Sequence, residues 1–275
     1  MASTTVARYL DAPHVGEPTR LDDIESLGAA GPRDLAFSVH ADAAPVEATH
    51  AGAVICRPSV GHLADRTLIH HDRPQLAFVR AAREFLAPPP EPTIHPSATV
   101  GDGATVGRDC HVGPGAHVDD CVTLEDGASV GAGAVIGTPG FGYQRDGAGD
   151  LHHQPHVGEV VVEAGATVGP NCVVDRAVFD RTVVGRGAKL SGGVHLAHQA
   201  QVGPRTTLAF GSGLAGGATL GERVTVHPGV TVATDVVVGD GAELGMHATV
   251  LDDVPPDTRV VGSPARAVGA AAEGP

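Results

Sequence analysis

The sequence predicts a mainly β chain, a parallel β-helix built on a six-residue period with a small α/β domain at its N-terminus. Three observations carry this. Aliphatic residues recur at every sixth position over most of residues 94–250. The 275 residues include 38 Gly and 21 Pro, so turn signals recur every few residues and long helices cannot dominate. Aromatics make up only 3% of a chain that is 42% hydrophobic, so small and β-branched side chains must fill the core.

Residues 1–90 lack the period. They hold two strand-like segments, DLAFSV and GAVICRP, and an amphipathic helix pattern, RPQLAFVRAAREFLA. APPPEPT then reads as a stiff linker. Residues 91–262 carry the repeat. Its first run is Ile94, Val100, Val106, Val112, Val118, Leu124, Val130 and Ile136. The register breaks over a loop at 138–160, resumes at Val162, Val168 and Val174, and slips by four residues at DRAVFDRTV. It then holds every sixth residue from Val184 to Val250. A helix repeats at 3.6 and a two-faced strand at 2, so neither fits. A six-residue period fits a coil of three short strands, about eighteen residues, rising ~4.8 Å per coil. A small or β-branched residue often follows four positions after the aliphatic one, as in VGDGAT and LAGGAT. Residues 263–275 read as a short Gly/Pro-rich tail.

The formal net charge is −14, from 18 basic and 32 acidic residues, and Lys189 is the sole lysine. A nucleic-acid surface needs clustered Lys and Arg, so that class of partner is not expected. Cys56, Cys110, Cys121 and Cys172 form no CxxC and match no zinc spacing. They read as small buried residues in a reducing compartment. The N-terminus lacks the apolar run of a signal peptide, and no stretch is long enough to cross a membrane. A cytoplasmic protein is the expectation.

A β-helix does not specify a function, so chemistry is sought where the pattern is interrupted. In HLAHQAQVG, His198 stands two positions after inward-pointing Leu196, which places it near a corner, pointing outward. An imidazole exchanges a proton near neutral pH; alternatively His198 is one of sixteen histidines on a polar surface. GTPGFGYQ opens the long break and carries Phe141, Gly142 and Tyr143. So long an excursion is either functional or a floppy tip. Eighteen residues beyond His198 lies Gly216, in LAGGAT. One coil away, its backbone N–H is suited to a developing oxyanion, or it is one more glycine in a glycine-rich chain.

Taken together, GFGY, DR, KL with LAHQ, LAGGATLG and VGSPAR, in this order and spacing, resemble the UDP-3-O-acylglucosamine N-acyltransferases of lipid A synthesis, within the hexapeptide-repeat acyltransferase superfamily. SLGAAGPRDLAFSV, AGAVICRP and the following helix resemble that family's uridine-binding domain, so the likeness covers nearly the whole chain. It implies a left-handed β-helix and a homotrimer with active sites between subunits. It implies acyl transfer from an acyl carrier protein thioester to the amine of a UDP-linked, 3-O-acylated glucosamine, without metal or cofactor beyond the thioester co-substrate. His198 takes the general-base position, and Gly216 the position whose N–H polarises the thioester carbonyl. Phe141, Gly142 and Tyr143 fall in the loop that helps form the substrate groove, and His195 stands beside the base as a substrate-binding candidate.

The chain departs from the family pattern at four places. FSVHADAAPVE puts His40 and Ala43 where the family carries an Asn and a Tyr that hold uracil. Ser191, Gly192 and Gly193 replace a polar triplet before the catalytic coil, and Asp235 replaces a second histidine. No segment of these residues reads as the family's C-terminal helical extension. The likeness is therefore to a divergent member, with another nucleotide sugar or lipid, or a coenzyme A donor, left open. Arg176, Arg181, Arg186 and Arg205 are candidates for a patch that docks an acidic carrier protein. The other readings are an acetyl-CoA-dependent sugar acetyltransferase, a zinc hydratase of the γ-carbonic anhydrase type, and a non-catalytic binding rod. His195 and His198 are too close together for the zinc pattern.

Overall fold

The computed structural model describes residues 1–87 and 91–270. It divides into two compact units, Met1–Glu91 and Pro92–Pro275. The linker read at APPPEPT lies partly outside the described residues, at 88–90.

The first unit runs α1 (Ser3–Tyr9), β1 (His14–Val15), β2 (Asp23–Ile24), β3 (Asp34–Phe37), α2 (Ala44–Glu47), β4 (Ala53–Cys56), β5 (Leu68–His70) and α3 (Pro74–Phe85). DLAFSV forms β3, GAVICRP forms β4, and the amphipathic pattern forms α3, with Pro74 at its first position, where no N–H is needed. The sheet order is β1-β5-β4-β3-β2, with β2 to β5 parallel and β1 antiparallel at the edge. All four residues of β4 are buried, which accounts for its unbroken apolar run. α3 turns Ala77 and Ala81 into the core with Leu35, Ile55 and Ile69, and their small size lets helix and sheet approach closely. Burial pushes the Cys56 thiol up to about 11.

The second unit is a parallel β-solenoid. Among the described residues its strands stack into three sheets of seven, nine and eight. Val184 pairs with Val202, Leu190 with Leu208 and Leu196 with Leu214, each one coil further along. The inward column from Val184 to Val250 is buried at every level, so each aliphatic residue packs on its equivalents above and below. The small residue four positions later is also inward, at the corner. Cys110, Ala128, Cys172, Ala200 and Ala218 occupy that column. Thr206 and Ser212 fit there because their hydroxyls bond backbone carbonyls of Gly221 and of Ala209 and His227.

The period misplaces the first hexad. Ile94 bridges to Val112, but its side chain is 48% exposed. It stands at the open end of the coil, with no coil beyond it to pack against.

The two interruptions have definite shapes. Across the first, Val130 pairs with Val168 and Ile136 with Val174, so the intervening residues are expelled without breaking the stack. The loop at 138–160 is ordered as an antiparallel hairpin, Tyr143–Arg145 with Leu151–His153, rather than a floppy tip. Its turn is closed by Asp146, whose carboxylate accepts the N–H groups of Ala148 and Asp150 and pairs with His152. Across the second, Val173 pairs with His195, and residues 177–180 bulge from a corner. Within the tail, Arg266–Ala270 folds back antiparallel on Thr258–Val261 as an edge strand of the nine-stranded sheet. The rest of the tail, 271–275, lies outside the described residues.

Candidate active site

Every interruption lies on one corner of the coil, the one that follows strands of the eight-stranded sheet. The hairpin leaves after Val135–Pro139 and the bulge after Val173–Arg176. The turn at 197–199 follows His195–Leu196, and the turn at 215–217 follows Gly213–Leu214. His198 and Gly216 are therefore the second residues of stacked turns. Ala197 N–H donates to Leu214 O at 2.9 Å and Gly217 N–H to His198 O at 3.0 Å, locking the two turns together. Gln199 adopts φ 62° at the turn's third position and its N–H donates to the buried Thr182 hydroxyl at 2.8 Å.

The half-buried imidazole of His198 lies against the Cα of Gly216. A Cβ at 216 would stand 2.8 Å from His198 Nε2 and 3.0 Å from Nδ1. On its other side, Nδ1 is 3.3 Å from the side-chain oxygen of Gln199. That oxygen only accepts, so the proton belongs on Nδ1 and the free lone pair on Nε2, the nitrogen nearer Gly216. Gly216 is buried, and its backbone N–H meets no protein acceptor among the described residues.

His195 Nε2 is 3.1 Å from a carboxylate oxygen of Asp175, which is buried on the preceding coil. The hydrogen bond to Asp175 raises the His195 pKa, against the opposing effect of burial. The hairpin root fits over this pair. A Cβ on Gly140 would lie 2.8 Å from Asp175 Oδ2, and His153 donates from Nε2 to Gly140 O at 3.1 Å. A Cβ on Gly142 would meet His156 at 3.3 Å, and Gln154 N–H donates to Gly142 O.

Phe141, 85% exposed, packs on Tyr143 with ring centroids 5.2 Å apart. Tyr143 packs on His153 at 5.0 Å, His153 stacks on His156 at 5.4 Å, and His156 meets His198 edge-on at 5.5 Å. The structure thus joins Phe141, Gly142, Tyr143, His195, His198 and Gly216 at one corner. Asp235, exposed one coil beyond Gly217, binds Gly216 O through its backbone N–H at 3.0 Å. His40 is exposed just past β3, in the first unit.

Sequence reasoning missed Asp175, His153 and His156. Asp175 had a signal, the DR pair. The two histidines had none beyond lying in the break. The four arginines do not form an unpaired patch. Arg176 donates to Gly158 O, Arg181 and Arg186 face Glu159 and Glu125, and Arg205 pairs with Glu222. Two cavities elsewhere, one lined by Met1, Pro18 and Arg20 and one by Leu251, Pro255 and Arg266, include none of these site residues.

Comparison with known proteins gives the class first. The bacterial transferase hexapeptide profile (six repeats) matches residues 103–138 and 217–252, so the repeat is that of the bacterial hexapeptide transferases. Its curated relatives carry a particular name, UDP-3-O-acylglucosamine N-acyltransferase. The protein of that name from Syntrophobacter fumaroxidans is 36% identical over 237 residues, 72% of this chain and 66% of the relative. That from Anaeromyxobacter dehalogenans strain 2CP-1 is 47% identical over 74 residues, 25% of this chain and 21% of the relative. The alignments thus span less than two thirds of these relatives' own length. Among solved structures, UDP-N-acetylglucosamine acyltransferase from Campylobacter jejuni is similar with a TM-score of 0.54 and 22% identity, over 65% of this chain and 75% of that one. The enzyme of that name from Bacteroides fragilis gives 0.52 and 19%, over 65% and 74%. At this identity the solved structures speak for the fold alone. No helix among the described residues is long and apolar enough to cross a membrane.

Proposed function

We propose that this protein is an N-acyltransferase that moves an acyl group from an acyl carrier protein thioester to the amine of a UDP-linked, 3-O-acylated glucosamine. The observation that carries the reading is the pairing of His198 Nε2 with Gly216 on stacked turns. The names of the curated relatives support it. The amine nitrogen attacks the thioester carbonyl carbon while His198 Nε2 takes its proton. The carbonyl oxygen becomes an oxyanion, and the N–H of Gly216 donates to it. Collapse forms the amide and breaks the C–S bond. The thiolate leaves and takes the proton back from His198.

His195, whose Nε2–H is held by Asp175, presents Nδ1 to the sugar or its phosphates, as an N–H donor when the ring is protonated. Phe141 and Tyr143 line the groove for the acyl chain, and Asp235 closes its far end. As the resemblance implies, a homotrimer, with a neighbouring copy forming the opposite wall, completes the site. His40, beyond β3, is the candidate for holding the nucleotide in the first unit. Four free cysteines fit a reducing cytoplasm.

The test is thiol release from donors ranging from acetyl-CoA to long 3-hydroxyacyl carrier protein thioesters, with UDP-amino sugars as acceptors. Turnover with a long-chain carrier protein donor, lowered at least ~10²-fold by His198→Ala, is the expected result. Turnover with acetyl-CoA alone, or a His198→Ala enzyme as fast as the parent, overturns the reading.

A further inference from the structure

The geometry points to His156 as the positioning residue of His198: its ring, rather than its capacity to carry a proton, holds the His198 imidazole against Gly216. Three observations carry this. His156 is 7% exposed and meets His198 at a ring separation of 5.5 Å and an interplanar angle of 68°. The Cα of Gly216 also lies against that ring, so the His198 imidazole is in contact with both a backbone and a neighbouring ring. Finally, burial disfavours the charged form of His156. Nδ1 donates to Gln154 O at 2.8 Å, which leaves Nε2 without a proton. That Nε2 is the buried side-chain nitrogen or oxygen without a hydrogen-bond partner among the described residues.

A buried, unpaired nitrogen is unfavourable, so its presence needs a reason. The reason offered here is the flat ring. Burial lowers the His156 pKa, and the neighbouring His198 and His153 lower it further, outweighing the Gln154 carbonyl and Asp175. The charged form of His156 is therefore disfavoured. The same ring is the last rung of the run Phe141, Tyr143, His153, His156, so the hairpin's seating reaches His198 through a series of ring contacts. Misplacing a reacting group by about 1 Å costs on the order of 10²-fold in rate, which sets the scale of the effect.

The inference rests on the acyltransferase reading for its kinetic arm, and a second arm is independent of activity. The full-length chain carries His156→Phe, His156→Ala or His156→Gln, with the His198 ring resonances followed by NMR in histidine-labelled protein and assigned through His198→Ala. His156→Phe keeps one sharp set of His198 ring signals and a kcat within about 3-fold of the parent. His156→Ala broadens or splits those signals and lowers kcat by roughly 10- to 10²-fold, with KM for both substrates within about 3-fold. His156→Gln, which fills the space without a ring, behaves like His156→Ala and replaces it if the alanine variant does not fold. Unchanged His198 signals in both the Ala and Gln variants overturn the proposal. So does a His156→Phe variant as defective as His156→Ala, because the nitrogen would then be what matters. If even the parent shows no turnover, the acyltransferase reading fails while the NMR arm still decides the role of His156.

Discussion

The imidazole of His198 rests on the Cα of Gly216, one coil away, so closely that a single methyl group at 216 has no room beside it. One short contact therefore joins the proposed base and the proposed oxyanion donor.

Gly216→Ala tests that contact. Gly216 does not have a positive φ, so alanine meets no backbone strain there. The obstacle is the His198 ring, the far end of a side chain that can turn aside by giving up its contacts with His156 and Gln199. The expected outcome is a melting temperature within a few degrees of the parent and kcat/KM lower by about 10²-fold or more. Thermal melts and thiol-release kinetics on the same preparation check it; a large loss of stability would mean that the ring cannot move aside.

Asp175→Asn tests the neighbouring pair. The hydrogen bond to Asp175 raises the His195 pKa, so removing the carboxylate should lower it, as read by NMR titration. The sign for stability follows. A raised histidine pKa contributes stability that is fully present below the unfolded value of about 6.5 and is lost as pH rises through the folded pKa. The parent should therefore lose more stability than Asp175→Asn on going from acid to above neutral pH.

His14 behaves in the opposite sense. Burial lowers its pKa, and its Nε2 is 2.8 Å from the buried Ser3 hydroxyl. The unfolded chain takes up the proton more readily, so the contribution is present above pH about 6.5 and fades as pH falls below it. Urea midpoints at pH 8 and pH 5.5 should fall less in His14→Gln than in the parent. An equal fall in both would remove His14 from the account.

Leu208→Ala tests the stack. Leu208 is fully buried between Leu190 and Val226. Neighbouring coils hold their own inward residues in place, so the cavity cannot collapse. The cost should be about 2–5 kcal/mol by chemical denaturation. A cost under about 1 kcal/mol would show that the coils relax.

The six-residue period by itself determined the solenoid, because each inward residue needs only its equivalents one coil away, and the spacing along the chain states that directly. It also placed His198 and Gly216 on stacked turns, since coil arithmetic holds through the uninterrupted run. The residues on the far side of the interruptions were not legible in the same way. His156 reaches His198, and Asp175 reaches His195, across expelled segments whose paths no period describes. Only tertiary packing decided that the hairpin root seats over Asp175 through Gly140, and that His156 is buried with one unpaired nitrogen. The ends of the coil were decided there too. Ile94 follows the repeat yet stays half exposed, and Arg266–Ala270 breaks the repeat yet forms a strand. In each case the outcome depends on what lies across the contact, and a local pattern carries no record of a distant partner.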